Sequence, residues 1–338
     1  RRHLTKEGYA MAVPANTRLT FGGIQIREDL SDIIYNISPT ETPFMSGIGR
    51  GSASNTLFEW QKDELSAHAA NRKLEGDDPT SLAVAQPTLL TNYTQISEKA
   101  VQTSGTAEAV DWAGRKSSQA YQLAKRAKEI KRDMEFMLTG ETAKSAGAAG
   151  AARATGSLNN YIGSTVAADS NLIDGPTNAA VANANNDGGA AKAPSGADAL
   201  LSLAMINTCV EQVWKAGGTP DVIMCDAPLK VKLSGLAGSV VADIVSNHDK
   251  ASPASAVNSI DVIVTDFGTF KIVPNRFCLP NQLYVLDYDF WSVDYLRPFK
   301  TETLAKTGDS IKQMMVAEYG LRAKNGQASG TVIGVKAS

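Results

Sequence analysis

The sequence has 338 residues, of which 43% are hydrophobic and 20% are charged, so the chain can bury one large core or two moderate ones. A net charge of −2 excludes a strongly basic protein whose main activity is adhesion to nucleic acid. No stretch approaches the roughly 18 consecutive apolar residues of a membrane span, and no basic-then-apolar signal opens the sequence, so we expect a cytosolic protein without a membrane partner.

The residue types that carry enzyme chemistry are sparse. The sequence holds three histidines and three cysteines: His3, His68, His248, Cys209, Cys225 and Cys278. The histidines form no HExxH pair, the cysteines show no paired spacing, and neither GxxxxGK nor GxSxG occurs. We therefore predict no catalytic residue, no cofactor and no metal, and we expect the cysteines to be buried free thiols. A hydrolase with a long lid would need a convergent acid–base pair that the sequence does not show.

Two helical segments are predicted near the start. In REDLSDIIYNI, apolar residues recur at i, i+3, i+4 and i+7, the pattern of a short helix, and Ser38-Pro39 then stops it. These apolar residues are Leu30, Ile33, Ile34 and Ile37. In SPTETPFMSGIGRG, Thr42 and Pro43 begin one further turn, which should attach an extended arm through Phe44, Met45 and Ile48. An ordinary bend between two helices is the alternative.

Two strands separated by a long polar segment follow the arm. Residues 55–64 place Phe58 and Trp60 on one face of the first strand, and residues 88–104 form the returning strand. The intervening segment contains Pro79 and Pro87 and exceeds the usual hairpin loop of about 2 to 5 residues. Such a hairpin cannot bury both faces against its own core, so we predict that it lies on a neighbouring molecule. A mobile surface flap is the alternative.

A long helix is predicted over residues 111–140, with Asp111 as its cap and Gly140 as its stop. Its apolar stripe consists of Ala120, Leu123, Ala127, Ile130, Met134 and Leu138. Its polar side is basic, with Glu129, Asp133 and Glu135 interleaved. We interpret that side as a solvated, salt-bridged face in preference to a stripe that faces a polyanion.

The remainder of the sequence alternates between weak and strong patterns. Residues 141–194 are rich in Ala, Gly, Asn and Ser, which predicts an extended insertion of weak core content. A helix should then begin with a capping box at Ser195 and Asp198 and end at Gly217-Gly218. The strand DVIMC precedes a helix that begins near Asp226. Helices that alternate with strands folding back through tight turns indicate an α+β fold with a mixed or antiparallel sheet.

Several stretches, taken in order, resemble one known family. They are SPTETPFMSGIG, SGTAEAVDWAGR, AYQLAKRAKEIKRDMEFML, TDFGTFKIVPNRF, LRPFKTETLAKTGDS and NGQASGTVIG. From about Ala12 to Val335 the sequence is similar to tailed-bacteriophage major capsid proteins with the Hong Kong 97 type fold. The resemblance implies an N-terminal arm (1–54), an extended hairpin called the E-loop (55–104) and a peripheral domain (105–196) that contains the long spine helix and the Ala/Gly-rich insertion. It also implies a mainly axial domain (197–290) and C-terminal strands that return to the peripheral domain (291–338).

The resemblance also implies a function and partners. The chain would self-assemble through pentamers and hexamers into an icosahedral virion capsid around double-stranded DNA, in the host bacterial cytoplasm. Portal, scaffold and decoration proteins would be further partners, and DNA contact would be non-specific. The shell protein of a cellular nanocompartment with the same fold is the alternative.

The expected contacts between subunits come from the hairpin and the arm. On the E-loop they are Phe58, Trp60, Lys62, Arg72 and Lys73, and on the arm they are Arg18, Phe21, Ile24, Arg27 and Phe44. The first 27 residues are locally basic, and apolar side chains lie between the arginines. Such anchors favour a clamp on a neighbouring subunit over a tail that faces DNA.

Overall fold

The computed structural model describes residues 40–65, 70–78, 86–112, 117–183, 186–190, 192–245 and 261–338. Five helices are described: α1 Pro43–Gly47, α2 Gly105–Ala109, α3 Ser118–Thr139, α4 Leu203–Lys215 and α5 Ala227–Val245. The first strands are β1 Gly49–Ser52, β2 Leu57–Lys62, β3 Thr88–Tyr93, β4 Gln95–Ser104, β5 Leu172–Asp174, β6 Ala179–Ala180, β7 Ala199–Leu200 and β8 Val222–Cys225. The later strands are β9 Val262–Thr265, β10 Gly268–Pro274, β11 Gln282–Leu286, β12 Trp291–Thr303, β13 Ser310–Ala323, β14 Gly330–Ile333 and β15 Val335–Lys336. Within these residues no helix is long and apolar enough to cross a membrane.

A four-stranded sheet in the order β1-β12-β13-β4 carries α3 and the hairpin on opposite faces. Gln313 of β13 accepts a hydrogen bond from Gln119 of α3, at 3.2 Å. Gly320 of the same strand lies against Phe58 of the β2–β3 hairpin. Because odd and even residues of a strand point to opposite faces, the helix covers one face and the base of the hairpin covers the other.

A seven-stranded mixed sheet in the order β6-β5-β14-β11-β8-β10-β9 forms the second layer. Ile223 and Cys225 of β8 share a core with residues of α4 and α5. Met224, between them, belongs to the other core, which also holds Met134 of α3. The two cores therefore meet across this sheet, and the predicted α+β class is confirmed. Strand DVIMC and the helix after Asp226 are confirmed as β8 and α5.

The spine helix starts later than the sequence predicts. Asp111 is not its cap, because α3 begins at Ser118, where the Ser117 hydroxyl accepts a hydrogen bond from the amide of Ala120 at 3.2 Å. The short helix α2 precedes it. The end at Gly140 is confirmed. A helix of 22 residues is about 33 Å long.

The predicted capping box at Ser195 and Asp198 is wrong. Helix α4 begins at Leu203, and its cap is Ser202, whose hydroxyl accepts from the amide of Met205. Ser195 instead donates its hydroxyl and its amide to the carboxylate of Asp174. The Ser195 hydroxyl, which the capping-box pattern assigns to the start of α4, therefore holds the segment before that helix to Asp174. The exit at Gly217 is confirmed by its φ of 88°.

Residues 141–194 are not a segment of weak core content. The largest apolar side chains in this segment, which are Leu158, Tyr161, Ile162, Leu172 and Ile173, are at most 2% exposed. The segment also supplies β5 and β6 to the seven-stranded sheet, where β5 pairs with β14 in parallel. Strands β12 and β13 join β4 in the other sheet. The proposed domain boundaries stay a prediction.

Candidate assembly surfaces

The base of the hairpin is fastened to its own subunit by Trp60. The indole Nε1 of Trp60 donates to the carbonyl of Ala323 at 2.6 Å. The ring stacks on Phe58 with centroids 5.7 Å apart and lies 6.0 Å from the ring of Tyr161. Because alternate residues share one strand face, Phe58 and Trp60 together cover the same part of the four-stranded sheet.

A cation lies over the same two rings. The guanidinium carbon of Arg322 is 5.7 Å from the Phe58 ring centroid and 5.8 Å from that of Trp60. The Nη2 of the same guanidinium forms an ion pair with the carboxylate of Asp294, at 2.5 Å. Gly320 gives Phe58 room, since a Cβ there would lie 2.5 Å from the Phe58 ring. The aromatic pair is therefore enclosed by packing and by cation–π attraction.

Asn92 fixes the second strand of the hairpin. Its Nδ2 donates to the carbonyl of Leu321 at 2.6 Å and to the Thr155 hydroxyl at 3.0 Å. Its Oδ1 accepts from the amides of Tyr93 and Gly156, both at 2.8 Å. Asn92 is fully buried, so a side chain without these partners would leave several backbone groups unsatisfied. It thereby joins β3, β13 and the segment 141–194.

Beyond this base, the described residues of the hairpin are exposed. We call residues 63–87 the loop tip; its described residues, 63–65, 70–78 and 86–87, are all exposed. Leu65 is 99% exposed and Leu74 is 82% exposed. A turn after Leu74 is closed by the amide of Asp77, and Gly76 within it has a φ of 82°. Exposed leucines of this size on one protrusion mark a surface that a partner can bury.

The predicted E-loop residues divide between the base and the tip. Phe58 and Trp60 are only 6% and 9% exposed, against their own subunit. Lys62 lies at the boundary and forms an ion pair with Glu64 at 2.9 Å. Arg72 and Lys73 lie on the exposed tip. The contact between the E-loop and a neighbouring subunit stays a prediction. Because Phe58 and Trp60 are buried within their own subunit, that contact would be made by the residues from Lys62 outward.

The arm is fastened to the spine helix by a buried carboxylate. Helix α1 begins at Pro43 as predicted, and Phe44, Met45 and Ile48 are buried. The amides of Phe44 and Met45 each donate to one carboxylate oxygen of Glu135, both at 2.8 Å. Phe44 also lies edge-on to the rings of Tyr288 and Trp291, with centroids 6.2 and 6.3 Å away. Of the predicted arm contacts, Arg18, Phe21, Ile24 and Arg27 lie outside the described residues.

Glu135 also joins the second sheet. Asn275, which follows β10, donates its Nδ2 to the same carboxylate at 2.7 Å. Burial raises the pKa of Glu135, and the three hydrogen bonds lower it only in part. One side chain thus holds α1, the spine helix and the seven-stranded sheet together.

Sequence reasoning missed the roles of Glu135 and Asn92. It placed Glu135 on the solvated face of the helix, which is wrong, because the carboxylate is fully buried under α1. Nothing in a helical period distinguishes a glutamate that receives backbone amides from one that faces water. Asn92 lies in a strand pattern of alternating residues, where an asparagine is ordinarily exposed. In both cases the role of the residue depends on contacts with distant parts of the chain.

The three cysteines are buried, and the described residues bring no metal-binding cluster together. Burial raises the pKa of Cys209 and of Cys225 to about 12, so both are inert thiols at neutral pH, and all three cysteines are buried and free as predicted. Among the described residues, no three His, Cys, Asp or Glu side chains come together to hold a metal ion. The three histidines lie outside the described residues. The described part of the chain is a two-sheet body to which α1 and the base of the hairpin are fastened.

A body of this kind, with a long helix, an anchored α1 and a hairpin that ends in exposed residues, is typical of a structural subunit of a protein shell. The chain belongs to the SU10 major capsid protein family, whose family model matches residues 13–336. The "Major capsid protein" of Escherichia phage Phieco32 is 28% identical over 324 residues, which cover 88% of this chain and 90% of that protein. The chain is therefore a major capsid protein of a tailed bacteriophage, a structural component of the virion capsid rather than an enzyme.

Solved structures show the same fold at low identity. The chain in a structure of the Cyanophage A-1(L) capsid asymmetric unit is 13% identical, with a TM-score of 0.65 over 92% of this chain and 97% of that one. The capsid of a native GTA particle gives 9% identity and a TM-score of 0.57 over 94% and 97%. An encapsulin from Synechococcus elongatus gives 9% and 0.50 over 90% and 94%. The Hong Kong 97 type fold is confirmed. The family match decides for a phage capsid over the nanocompartment alternative.

Proposed function

We propose that this chain forms the pentamers and hexamers of a head shell around double-stranded DNA, and that the loop tip and the arm make the contacts between neighbours. The observation that carries this proposal is the contrast along the hairpin. Trp60 and Asn92 fix its base to the subunit, whereas Leu65 and Leu74 at its tip are left in solvent.

A fastened base gives the loop tip a defined direction. Because β2 and β3 pair over six residues from Leu57↔Tyr93 to Lys62↔Thr88, the paired strands would carry the chain from the anchored base to the exposed residues of the tip. Burying two leucines against a neighbour would contribute about 1.5–3 kcal/mol each. Repetition of such a contact by symmetry in every subunit would stabilise a closed shell. Lys62, Arg72 and Lys73 would set the register of this contact by charge.

The arm would act as a second clamp. Glu135 holds α1, so the chain before Pro43 starts from a fixed point on the subunit. Phe21 and Ile24 would anchor it to a neighbour, flanked by Arg18 and Arg27. Phe44 is used within the subunit and would serve only to fix the start of the arm.

Contact with the packaged genome would be weak and non-specific. A net charge of −2 suits a wall past which DNA moves without adhering. Portal, scaffold and decoration proteins would bind the assembled shell rather than the single subunit, because they need surfaces that several copies create together.

Deletion of residues 65–86 tests the role of the loop tip. The deleted protein should fold, because the base of the hairpin stays intact, yet its shells should be lost or should break at lower temperature. A matched control replaces the same residues by a Gly/Ser linker of equal length, which keeps the loop and removes its side chains. Electron microscopy and heating of purified shells measure the result. Shells of normal heat resistance from both variants would contradict the proposed contact.

A further inference from the structure

Four cations on the spine helix have no partner in the described chain. They are Lys125, Lys128, Lys131 and Arg132, and we call them the cationic stripe. The three lysines are exposed and Arg132 is half-exposed. At about 100° per residue they cover roughly a third of the circumference of the helix. Such a stripe on a chain with a net charge of −2 is a candidate binding surface.

The acidic residues of the same helix do not neutralise the stripe. Glu129 pairs with Arg126 at 2.5 Å, and Asp133 pairs with Lys99 of β4 at 2.6 Å. Glu135 is buried under α1. Each carboxylate therefore has its own partner elsewhere. The solvated, salt-bridged face that the sequence predicts is thus confirmed for the ion pairs of Glu129 and Asp133, which involve Arg126 and Lys99 and leave the four cations of the stripe without a partner among the described residues.

The cationic stripe ends close to Glu135, the residue that holds α1. Glu135, which holds α1, lies one turn beyond Arg132 on the helix. The neighbouring Phe136 is 56% exposed. At Glu135 the surface therefore offers the apolar ring of Phe136 on one side, and Arg132, Lys128 and Lys125 follow on the other side, toward the start of α3.

The chain before α1 carries the complementary chemistry. Counted away from Pro43, the sequence first offers Ile37, Ile34 and Ile33 and then offers Asp32, Asp29 and Glu28. The five connecting residues 38–42 can span at most about 17 Å. The ten residues from Glu135 back to Lys125 span about 15 Å of helix. The reach of the chain matches the length of the stripe.

We propose that residues 28–37 dock on the spine helix of the same subunit, with Glu28, Asp29 and Asp32 facing the cationic stripe and the isoleucines facing Phe136. The arm would then have an anchored half, residues 28–42, and a reaching half, residues 1–27. Duplex DNA fits the stripe less well, because phosphates would leave Phe136 and the isoleucines without apolar contacts.

Charge reversal with rescue tests this docking. The variant Lys125→Glu/Lys128→Glu/Arg132→Glu should raise the hydrogen-exchange rate of amides 28–37 in unassembled subunits by about tenfold, the effect of several exposed ion pairs together. Adding Glu28→Lys/Asp29→Lys/Asp32→Lys to the same chain should restore slow exchange. Lys271→Glu/Lys312→Glu/Lys336→Glu is a control of equal net charge on other exposed lysines and should leave these amides unchanged.

Three outcomes would overturn the proposal. One is equal exchange in parent and reversed variant. Another is a difference that arises only in assembled shells, which would assign the stripe to the arm of a second copy. The third is loss of binding to a duplex DNA probe without any change in the arm, which would make the stripe a polyanion surface. All three can be distinguished from failure of the loop-tip proposal, because the loop tip is intact in every variant.

Discussion

Two irregular regions of this chain end in opposite environments. Residues 141–194 and the loop tip, residues 63–87, both lack an apolar period and both are rich in turn-forming residues. The first lies inside the subunit, with Leu158, Ile162 and Ile173 fully buried. The second leaves Leu65 and Leu74 in solvent. A sequence pattern without an apolar period therefore corresponds to a buried segment at residues 141–194 and to an exposed one at the loop tip.

Glycine and asparagine make the interior segment possible. Gly156, Gly188 and Gly326 come so close to Tyr161 that a Cβ on any of them would press on that residue. Buried asparagines satisfy backbone groups that no regular strand reaches, as Asn183 does for the carbonyl of Ile162 at 2.9 Å. Small residues thus let irregular backbone pack at the density of a core. The described residues of the loop tip instead include charged side chains and the exposed Leu65 and Leu74.

Gly326→Ala should have the largest effect on the interior segment. A Cβ at this position would overlap the carbonyl oxygen of Tyr161, which is backbone and cannot move to another rotamer. We expect a loss of more than about 4 kcal/mol in the free energy of unfolding, or no folded protein at all. Denaturant unfolding of unassembled subunits and the yield of folded protein measure it.

Gly150→Ala, within residues 141–194, is the matched control for Gly326→Ala. Gly150 has a φ of 90° but open space around it, so only the left-handed backbone conformation opposes the methyl group. The expected loss is about 1–2 kcal/mol. Equal effects of the two substitutions would show that the interior packing around Tyr161 is looser than its distances indicate.

Trp60→Ala should have the next largest effect on the free energy of unfolding. Compared with a substitution on the loop tip, it shows where the hairpin changes from buried to exposed. Removing the ring leaves a cavity next to Phe58 and Tyr161 and frees the carbonyl of Ala323, with an expected loss of about 3–5 kcal/mol. Leu65→Ala, five residues along the same hairpin, should stay within about 0.5 kcal/mol of the parent. Comparable losses in unassembled subunits would mean that the loop tip is folded onto its own chain.

Local patterns predicted the elements, and tertiary contacts decided their roles. Pro43 with its apolar followers, the stripe through Ile130 and Met134, and the alternation of Phe58 and Trp60 were sufficient to place α1, the second half of α3 and β2. Each is a periodic signal within one element. The order of such elements was sufficient to indicate the fold.

The misses come from contacts between distant parts of the chain. Glu135 is buried because α1, about 90 residues earlier, supplies two amides. The spine helix begins at Ser118 because Ser117 provides the cap, although Asp111 offers an equally good side chain in sequence. The aromatic pair faces inward because Gly320 and Arg322 of β13 receive it. No single-segment pattern carries that information.

Asp174→Asn should have the smallest effect, and it separates the two regions by pH. Asp174 is fully buried at the end of β5. Burial raises its pKa, but hydrogen bonds from the hydroxyl and amide of Ser195 and from the Thr177 hydroxyl outweigh this effect, so the pKa lies below its ordinary value of 3.8. A group whose pKa is lowered in the folded state contributes stability that is complete above its unfolded pKa and is lost as the pH falls through its folded pKa.

We expect Asp174→Asn to lower the free energy of unfolding by about 1 kcal/mol at pH 7, and we expect the difference from the parent to close as the pH drops below about 4. Asp77→Asn on the exposed loop tip is the control and should leave the unfolding midpoint at pH 7 unchanged, because this side chain is in solvent. Denaturant unfolding between pH 3 and pH 7 measures the effect of Asp174→Asn. A gap for Asp174→Asn that stays constant down to pH 3 would show that the hydrogen bonds of Asp174 do not depend on its charge.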